Sequence, residues 1–286
     1  MRYTQLRAFH NVALQGGFSR AAAALNQSQP SLSEQVRRLE QDHDVLLFHR
    51  EGRRIRLTEA GEELLLLTKR FFECEEGISE YLRQSRAAVH GTLRIVADSA
   101  LHVSGILRAF RARHPDVFVQ ISSGNSGQVL SALRNYDAEI GILGSFESAP
   151  DLEAVTLGAS PIVGIAARGL LPRGTKSLSL EDLADHPLVF RETGSHTRQM
   201  VEQAARRAGL RLRPAIEVEG REAMREIVAT GGGIGFTSEA EMGHDPRIER
   251  FALAGVTLEM TETLVYLTMR RDLRVIRGFL KMIPGG

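Results

Sequence analysis

From Thr58 onward, apolar residues recur at Ala60, Leu64, Leu67, Phe71, Cys74, Ile78 and Tyr81, stepping alternately by four and three. That alternation is the heptad period of a helix packed along a seam against another helix. Thr58 stands where an N-cap belongs, and Glu62 and Glu63 put acid in the first turns. The pattern runs to about Val89, so the helix spans about 45 Å at ~1.5 Å per residue. A lone helix of this kind needs a partner. Packing on its own domain is one solution, and self-association into a dimer is the better fit to the seam. Cys74 lies within the seam, as a small core hydrophobe rather than a reactive thiol.

Ahead of this helix come three shorter ones. Leu6, Phe9, Val12 and Ala13 make an apolar stripe over Thr4 to Leu14, with Thr4 as a cap and Gly16-Gly17 as a stop. Ser19 caps an alanine-rich helix, Arg20 to Leu25, and alanine lets a neighbouring helix approach closely. Asn26-Gln27 turns the chain. A third helix begins near Ser28, tolerates Pro30 in its first turn and buries Leu32, Val36 and Leu39. Two short helices joined by a tight turn form a helix-turn-helix. Leu46 to Arg50 and Arg54 to Leu57 then flank Glu51-Gly52-Arg53, a small β-wing with arginine at its tip.

Net charge over the 286 residues is +1, so bulk charge does not point to nucleic acid, but its distribution does. Arg50, Arg53, Arg54 and Arg56 crowd the wing against one acid, Glu51. No apolar run approaches the ~20 residues that span a bilayer. Met1 to Phe9 is polar and helical in pattern, unlike a secretory leader, and a single cysteine suits a reducing compartment. A cytoplasmic protein with no membrane partner is expected.

Past His90-Gly91 the composition changes. "TLRIVAD", "VFVQISSGN", "AEIGILGS" and "PIVGIAARG" read as strands, separated by helices such as "SGQVLSALRNY". The alternation continues through "RPAIEVEGREAMREIVATGGGIGFTS", "ETLVYLTMRRD" and a closing helix, "LRVIRGFLKMI". It argues for an α/β domain on a mainly parallel sheet.

The segment "FSRAAAALNQSQPSLSEQVRRLEQDHDVLLFHREGRRIRLTEAG", together with the α/β region after it, resembles the LysR-type transcriptional regulators. The resemblance covers the whole chain and implies an α+β multidomain fold. Residues 1–58 are then a winged helix-turn-helix DNA-binding domain, and residues 59–90 a linker and dimerisation helix. Residues 91–286 form a two-lobed, periplasmic-binding-protein-like effector domain. Lobe I takes about 92–160 plus 268–286, and lobe II about 161–267, with crossings near Gly158 to Gly164 and near Thr263 to Thr268. In such regulators the third helix enters the major groove of double-stranded DNA and the wing lies along the adjacent minor groove. The resemblance places Gln27, Ser28, Gln29, Pro30, Ser31, Ser33, Arg37 and Arg38 on or near the reading helix. Hydroxyls and free N–H groups there bind phosphate. Gln29 has the amide that reads an adenine edge. Arg50, Arg53, Arg54 and Arg56 neutralise phosphates or enter a narrow minor groove. The resemblance also implies homodimers that pair into homotetramers.

Four loops point into the expected cleft between the lobes. They offer Asp98 and Ser99; Asn125 and Ser126; Arg191, Glu192, Ser195, Thr197 and Arg198; and Arg221 and Glu222. Serines at helix starts form an anion site, although simple capping also explains each of them. "FRETGSHTRQM" and "EGREAMREIVATGGGIGFTSEAEMGHDPRIERF" are similar to regulators associated with 2-aminoethylphosphonate catabolism. A phosphonate suits helix N-termini and an arginine, and its amine suits a carboxylate. An amino acid or a small carboxylate suits the same groups.

Two other classes fit less well. An enzyme lacks support: there is no recognisable nucleophile set, P-loop or paired cysteine, and "GGGIG" at Gly231 to Gly235 departs from the dinucleotide pattern at Phe236. The nine histidines are scattered, so neither a metal nor another cofactor is expected. A transport-type solute-binding protein would not carry the helix-turn-helix.

Overall fold

The computed structural model describes residues 1–51, 54–82, 89 and 91–283, and divides into two compact units, residues 1–86 and 87–286. In the first unit, α1 (Tyr3–Gln15), α2 (Phe18–Leu25) and α3 (Gln29–Asp42) enclose Phe9, Val12, Ala21, Leu32, Val36 and Leu39. Arg2 and Gly17, rather than Thr4 and Ser19, occupy the N-cap positions of α1 and α2. The turn between α2 and α3 rests on Asn26 at φ 52°, a conformation asparagine tolerates better than most residues. Strands β1 (Phe48–Glu51) and β2 (Arg54–Leu57) pair antiparallel as the wing, with His49 opposite Arg56.

Helix α4 (Glu59–Leu82) leaves the wing, and the Thr58 hydroxyl accepts from Gly61 N at 3.0 Å as its cap. Gly61 is required there, because a Cβ would run into the carbonyl of Leu47. Residues 83–88, the expected last turns, and the Tyr81 side chain lie outside the described residues.

The second unit carries two lobes. Lobe I places β4 (Val117–Ser123), β3 (Gly91–Ala97) and β5 (Ile140–Gly144) in parallel, then the antiparallel β12 (Glu259–Leu267). Helices α5 (Ser104–Arg113) and α10 (Arg274–Leu280) cover one face and α6 (Ser126–Arg134) the other. Strand alternation divides the two cores. Leu93, Ile95, Leu264 and Tyr266 join Phe110 and Phe279, while Val96, Val265 and Leu267 join Val129 and Leu133.

The long β6 (Leu152–Ala167) crosses between the lobes. It pairs with β12 up to Pro161, and from Ile162 with β10 (Gly235–Ser238) and β11 (Ile248–Leu253). Lobe II adds the short β7 (Ser177–Leu178), α7 (Leu180–Leu183), the parallel pair β8 (Leu188–Arg191) and β9 (Pro214–Val218), and helices α8 (His196–Arg207) and α9 (Arg221–Ala229). The second crossing precedes the expected 263–268 stretch. Strand β12 already bonds β5 from Glu262 to Val265, so only its first residues bridge to lobe II. A register shift between Glu262 and Thr263 leaves Leu157 of β6 without a partner in the ladder.

Candidate functional site

The start of α3 presents polar groups outward. Ser28 is its N-cap and accepts from Ser31 N at 3.3 Å. Gln27, Ser28, Gln29, Pro30 and Ser31 are exposed, and Ser33 is half-buried. The Ser19 hydroxyl donates to Gln29 Oε1 at 2.9 Å, so α2 orients the amide expected to read a base. Arg37 and Arg38 are exposed and both grip Glu34, at 2.8 and 2.7 Å. These two guanidiniums hold the Glu34 carboxyl at about 2. Arg56 is exposed on β2, whereas Arg53 and the side chains of Arg50 and Arg54 lie outside the described residues.

The seam of α4 is divided. Ala60, Leu64 and Leu65 pack on the three-helix core, and Thr68 contacts His10 at 3.0 Å. Beyond them Leu67, Phe71, Cys74 and Ile78 are exposed. The first turns therefore pack on their own unit and the later ones present an uncovered apolar row.

In the second unit the loops of both lobes meet around Asp98, which follows β3. Arg191 Nη1 of lobe II lies 2.9 Å from Asp98 Oδ1, and Arg221 Nη1 donates to the Asp98 carbonyl at 3.2 Å. Arg191 also reaches Glu192 at 2.8 Å. Nearby, Gly194 abuts Asn125 so closely that a Cβ would lie 2.6 Å from the amide nitrogen. Asn125, not Ser126, caps α6, accepting from Gln128 N at 3.1 Å. The Ser126 hydroxyl is buried without a hydrogen-bond partner among the described residues. Ser99 lies against the one-turn helix that follows, and Ser195 caps α8 beside the buried Thr197.

Two of the expected cleft residues stand apart from the Asp98 cluster, although Arg198 donates to the Arg191 carbonyl at 2.7 Å and lines a small pocket with Arg191, Ser195 and Thr197. Arg198 turns to Glu202 and Glu217, at 2.8 Å each, because α8 spacing and the β9 edge supply those acids. Glu222 is exposed on the outer side of the first turn of α9. The carboxylates that do join the cluster are Glu241 and Glu262. Arg221 Nη2 meets Glu241 at 2.8 Å, and His102 Nε2 stands 3.4 Å from both glutamates.

Burial and its neighbour Glu241 push the Glu262 carboxyl up to about 7. Burial also works against the ionised Glu241, but His102 and Arg221 carry it below the usual carboxylate range. Burial disfavours charge on His102, and the two glutamates outweigh it and raise the imidazole.

Sequence reasoning missed His102, Glu241 and Glu262 because they sit in three distant segments. One signal was present: Glu262 shares the inward alternation of Leu264 and Tyr266 in an otherwise buried strand.

A helix-turn-helix with a wing, followed by a two-lobed α/β unit, is the architecture of a DNA-binding regulator with an effector-binding domain. The descriptions "Bacterial regulatory helix-turn-helix protein, lysR family" and "LysR substrate binding domain" match residues 3–62 and 86–284. The chain belongs to the LysR family of transcriptional regulators.

It is 31% identical to the HTH-type transcriptional activator CmpR of Synechocystis, over 82% of this chain and 78% of that one. It is 30% identical to the RuBisCO operon transcriptional regulator of Allochromatium vinosum, with the same coverage. It is also 30% identical to the activator IlvY of Salmonella typhimurium, over 86% of this chain and 85% of that one. Among solved structures, full-length OxyR of Pseudomonas aeruginosa, in a cysteine-to-aspartate variant, aligns with TM-score 0.80 at 22% identity, covering 100% of this chain and 95% of that one. CbnR complexed with its target DNA aligns with TM-score 0.69 at 23% identity, covering 99% of each. These relatives are regulators rather than enzymes. No helix among the described residues is long and apolar enough to cross a membrane.

Proposed function

We propose that this LysR-type regulator is set by a small zwitterionic effector held between the lobes, and that it acts on DNA as a dimer joined through α4. The observation that carries the effector reading is the Asp98 cluster, where carboxylates and hydroxyls of both lobes converge. Asp98 and Glu192 suit an ammonium group. The Ser126 hydroxyl and the starts of α6 and α8 suit an anion. 2-Aminoethylphosphonate has both ends, and the resemblance of the Phe190–Met200 and Glu219–Phe251 segments supports control of its catabolism.

A second reading, an amino acid or small carboxylate, is favoured by one observation: Arg191, Arg198 and Arg221 are already ion-paired with acids. With the guanidiniums committed, a singly charged anion needs less compensation than a phosphonate. The relatives named for the RuBisCO operon, CmpR and IlvY keep other effectors open.

The DNA side rests on the outward polar face of α3 and on Arg56. The exposed row Leu67, Phe71 and Ile78 supports dimerisation. A ligand shifts the lobes only by binding one arrangement better than the other. Thermal unfolding and DNA footprinting at millimolar 2-aminoethylphosphonate, with β-alanine in parallel, test the effector. A raised Tm and an altered footprint with the phosphonate alone support it. The same changes with β-alanine alone move the assignment to carboxylates, and no change with the phosphonate removes it as effector.

A further inference from the structure

Three side chains distant in the sequence converge at the seam of the lobes. His102 lies in the single helical turn after β3, Glu262 on β12 and Glu241 in the turn after β10. Their ligating atoms all lie within 4.8 Å of one another. Both glutamates are about as buried as core leucines, each 3% exposed.

The spacing does not suit hydrogen bonding. The imidazole nitrogen stands 3.4 Å from each carboxylate, well beyond the ~2.9 Å of a good N–H···O bond. The buried His102 Nε2 completes no hydrogen bond of ordinary length. Glu262 meets no closer ion partner among the described residues than that imidazole. Ligand atoms at about 2.1 Å from a tetrahedral ion stand about 3.4 Å apart, which is the separation of the imidazole nitrogen from each carboxylate, and the two carboxylates stand within 4.8 Å of each other.

We propose that His102, Glu241 and Glu262 form a three-ligand site for a divalent first-row transition ion, placed where lobe II meets lobe I. One nitrogen and two carboxylates suit zinc, cobalt or manganese better than magnesium, whose sites are built mainly from oxygen. Arg221 and Ser99 bond Glu241 and fix its orientation, Arg221 through the same oxygen that faces His102, Oε1.

The positive charge of Arg221 opposes a cation, so the wider balance decides. With His102 and Glu262 deprotonated, as metal ligands must be, Asp98, Glu192, Glu241 and Glu262 among the described residues face two guanidiniums, Arg191 and Arg221, an excess of two negative charges that one divalent ion cancels. Three protein ligands leave a fourth position for water or for an anionic group of a bound molecule. The two lobe I ligands and the lobe II ligand make the ion a clasp that favours the closed arrangement.

The test uses the full chain, stripped with chelator and free of DNA and effector. Cobalt is titrated with its absorption spectrum recorded, and zinc by calorimetry. One ion per chain, with four-coordinate nitrogen–oxygen cobalt bands, is the expected result. Glu262→Gln and His102→Gln each weaken binding by about tenfold or more. Absence of binding, an octahedral aqua spectrum, or thiolate charge transfer from Cys74 overturns the site without reference to any variant. Unchanged affinity in both variants overturns it as well. Because no effector is present, failure here leaves the effector reading standing. A failed effector titration in chelator likewise leaves the metal result untouched.

Discussion

Two carboxylates in this molecule each stand between two arginines, and they do opposite things. Glu34 on α3 binds Arg37 and Arg38 one turn away, with side chains 38%, 52% and 60% exposed. Asp98 binds Arg191 and Arg221 across the lobes, with side chains 8%, 6% and 10% exposed. In water the first triad is weak and screened by salt, so its arginines remain free to exchange Glu34 for phosphate. The second is shielded and cannot lose a member without stranding a charge. The same chemistry therefore makes an exposed surface, the proposed DNA face, in one unit and a buried latch between lobes in the other.

The contrast should break most severely at the latch. Arg191→Ala leaves Glu192 without its arginine and Asp98 with Arg221 alone, and stability of the effector unit should fall by about 3–5 kcal/mol in denaturant unfolding. Glu34→Ala should leave Tm unchanged. Equal effects of the two substitutions would erase the distinction.

Next comes the uncovered row of α4. Phe71→Asp should turn a dimer into a monomer by light scattering and weaken binding to a two-half-site operator by about 10²–10⁴-fold, the avidity of a second head. On the DNA face, Gln29→Ala should cost about 1–3 kcal/mol at the cognate site and little elsewhere. Arg38→Ala should weaken all sites alike and reduce the salt slope by about 1.

Acid provides a gentler probe of the first unit. Burial and Lys69 lower His10 from 6.5 to about 4, so the folded state holds it neutral. Its contribution to stability is present above 6.5 and is lost as pH falls toward 4, where the unfolded chain takes up the proton first. A His10→Gln chain should show a flatter pH–stability curve over that interval.

The contrast also explains what could be read in advance. What was legible in the first unit is local: the stripe of α1, the start of α3 at Ser28 and the α3 apolar triplet follow from residues a turn apart. The strands of lobe I were legible for the same reason, as short apolar runs between turns. The latch was half legible, since Asp98, Arg191 and Arg221 each end a strand or begin a helix, where polar groups of an α/β fold gather. Glu241 and Glu262 were not legible, because their meeting depends on where β12 joins lobe I. Arg198 and Glu222 stand apart from the Asp98 cluster because Arg198 pairs with Glu202 and Glu217 and Glu222 is exposed on the first turn of α9.

Coupling between the DNA-facing surface and the latch is read in a single titration. The full chain is bound to DNA upstream of its own coding region and followed by anisotropy across a salt series, with and without 2-aminoethylphosphonate. Affinity should fall steeply with salt and should change when the effector is added, and the change should vanish in Asp98→Asn. Salt-independent binding, or an effector response that survives in Asp98→Asn, would contradict a phosphate-reading head controlled from the Asp98 cluster.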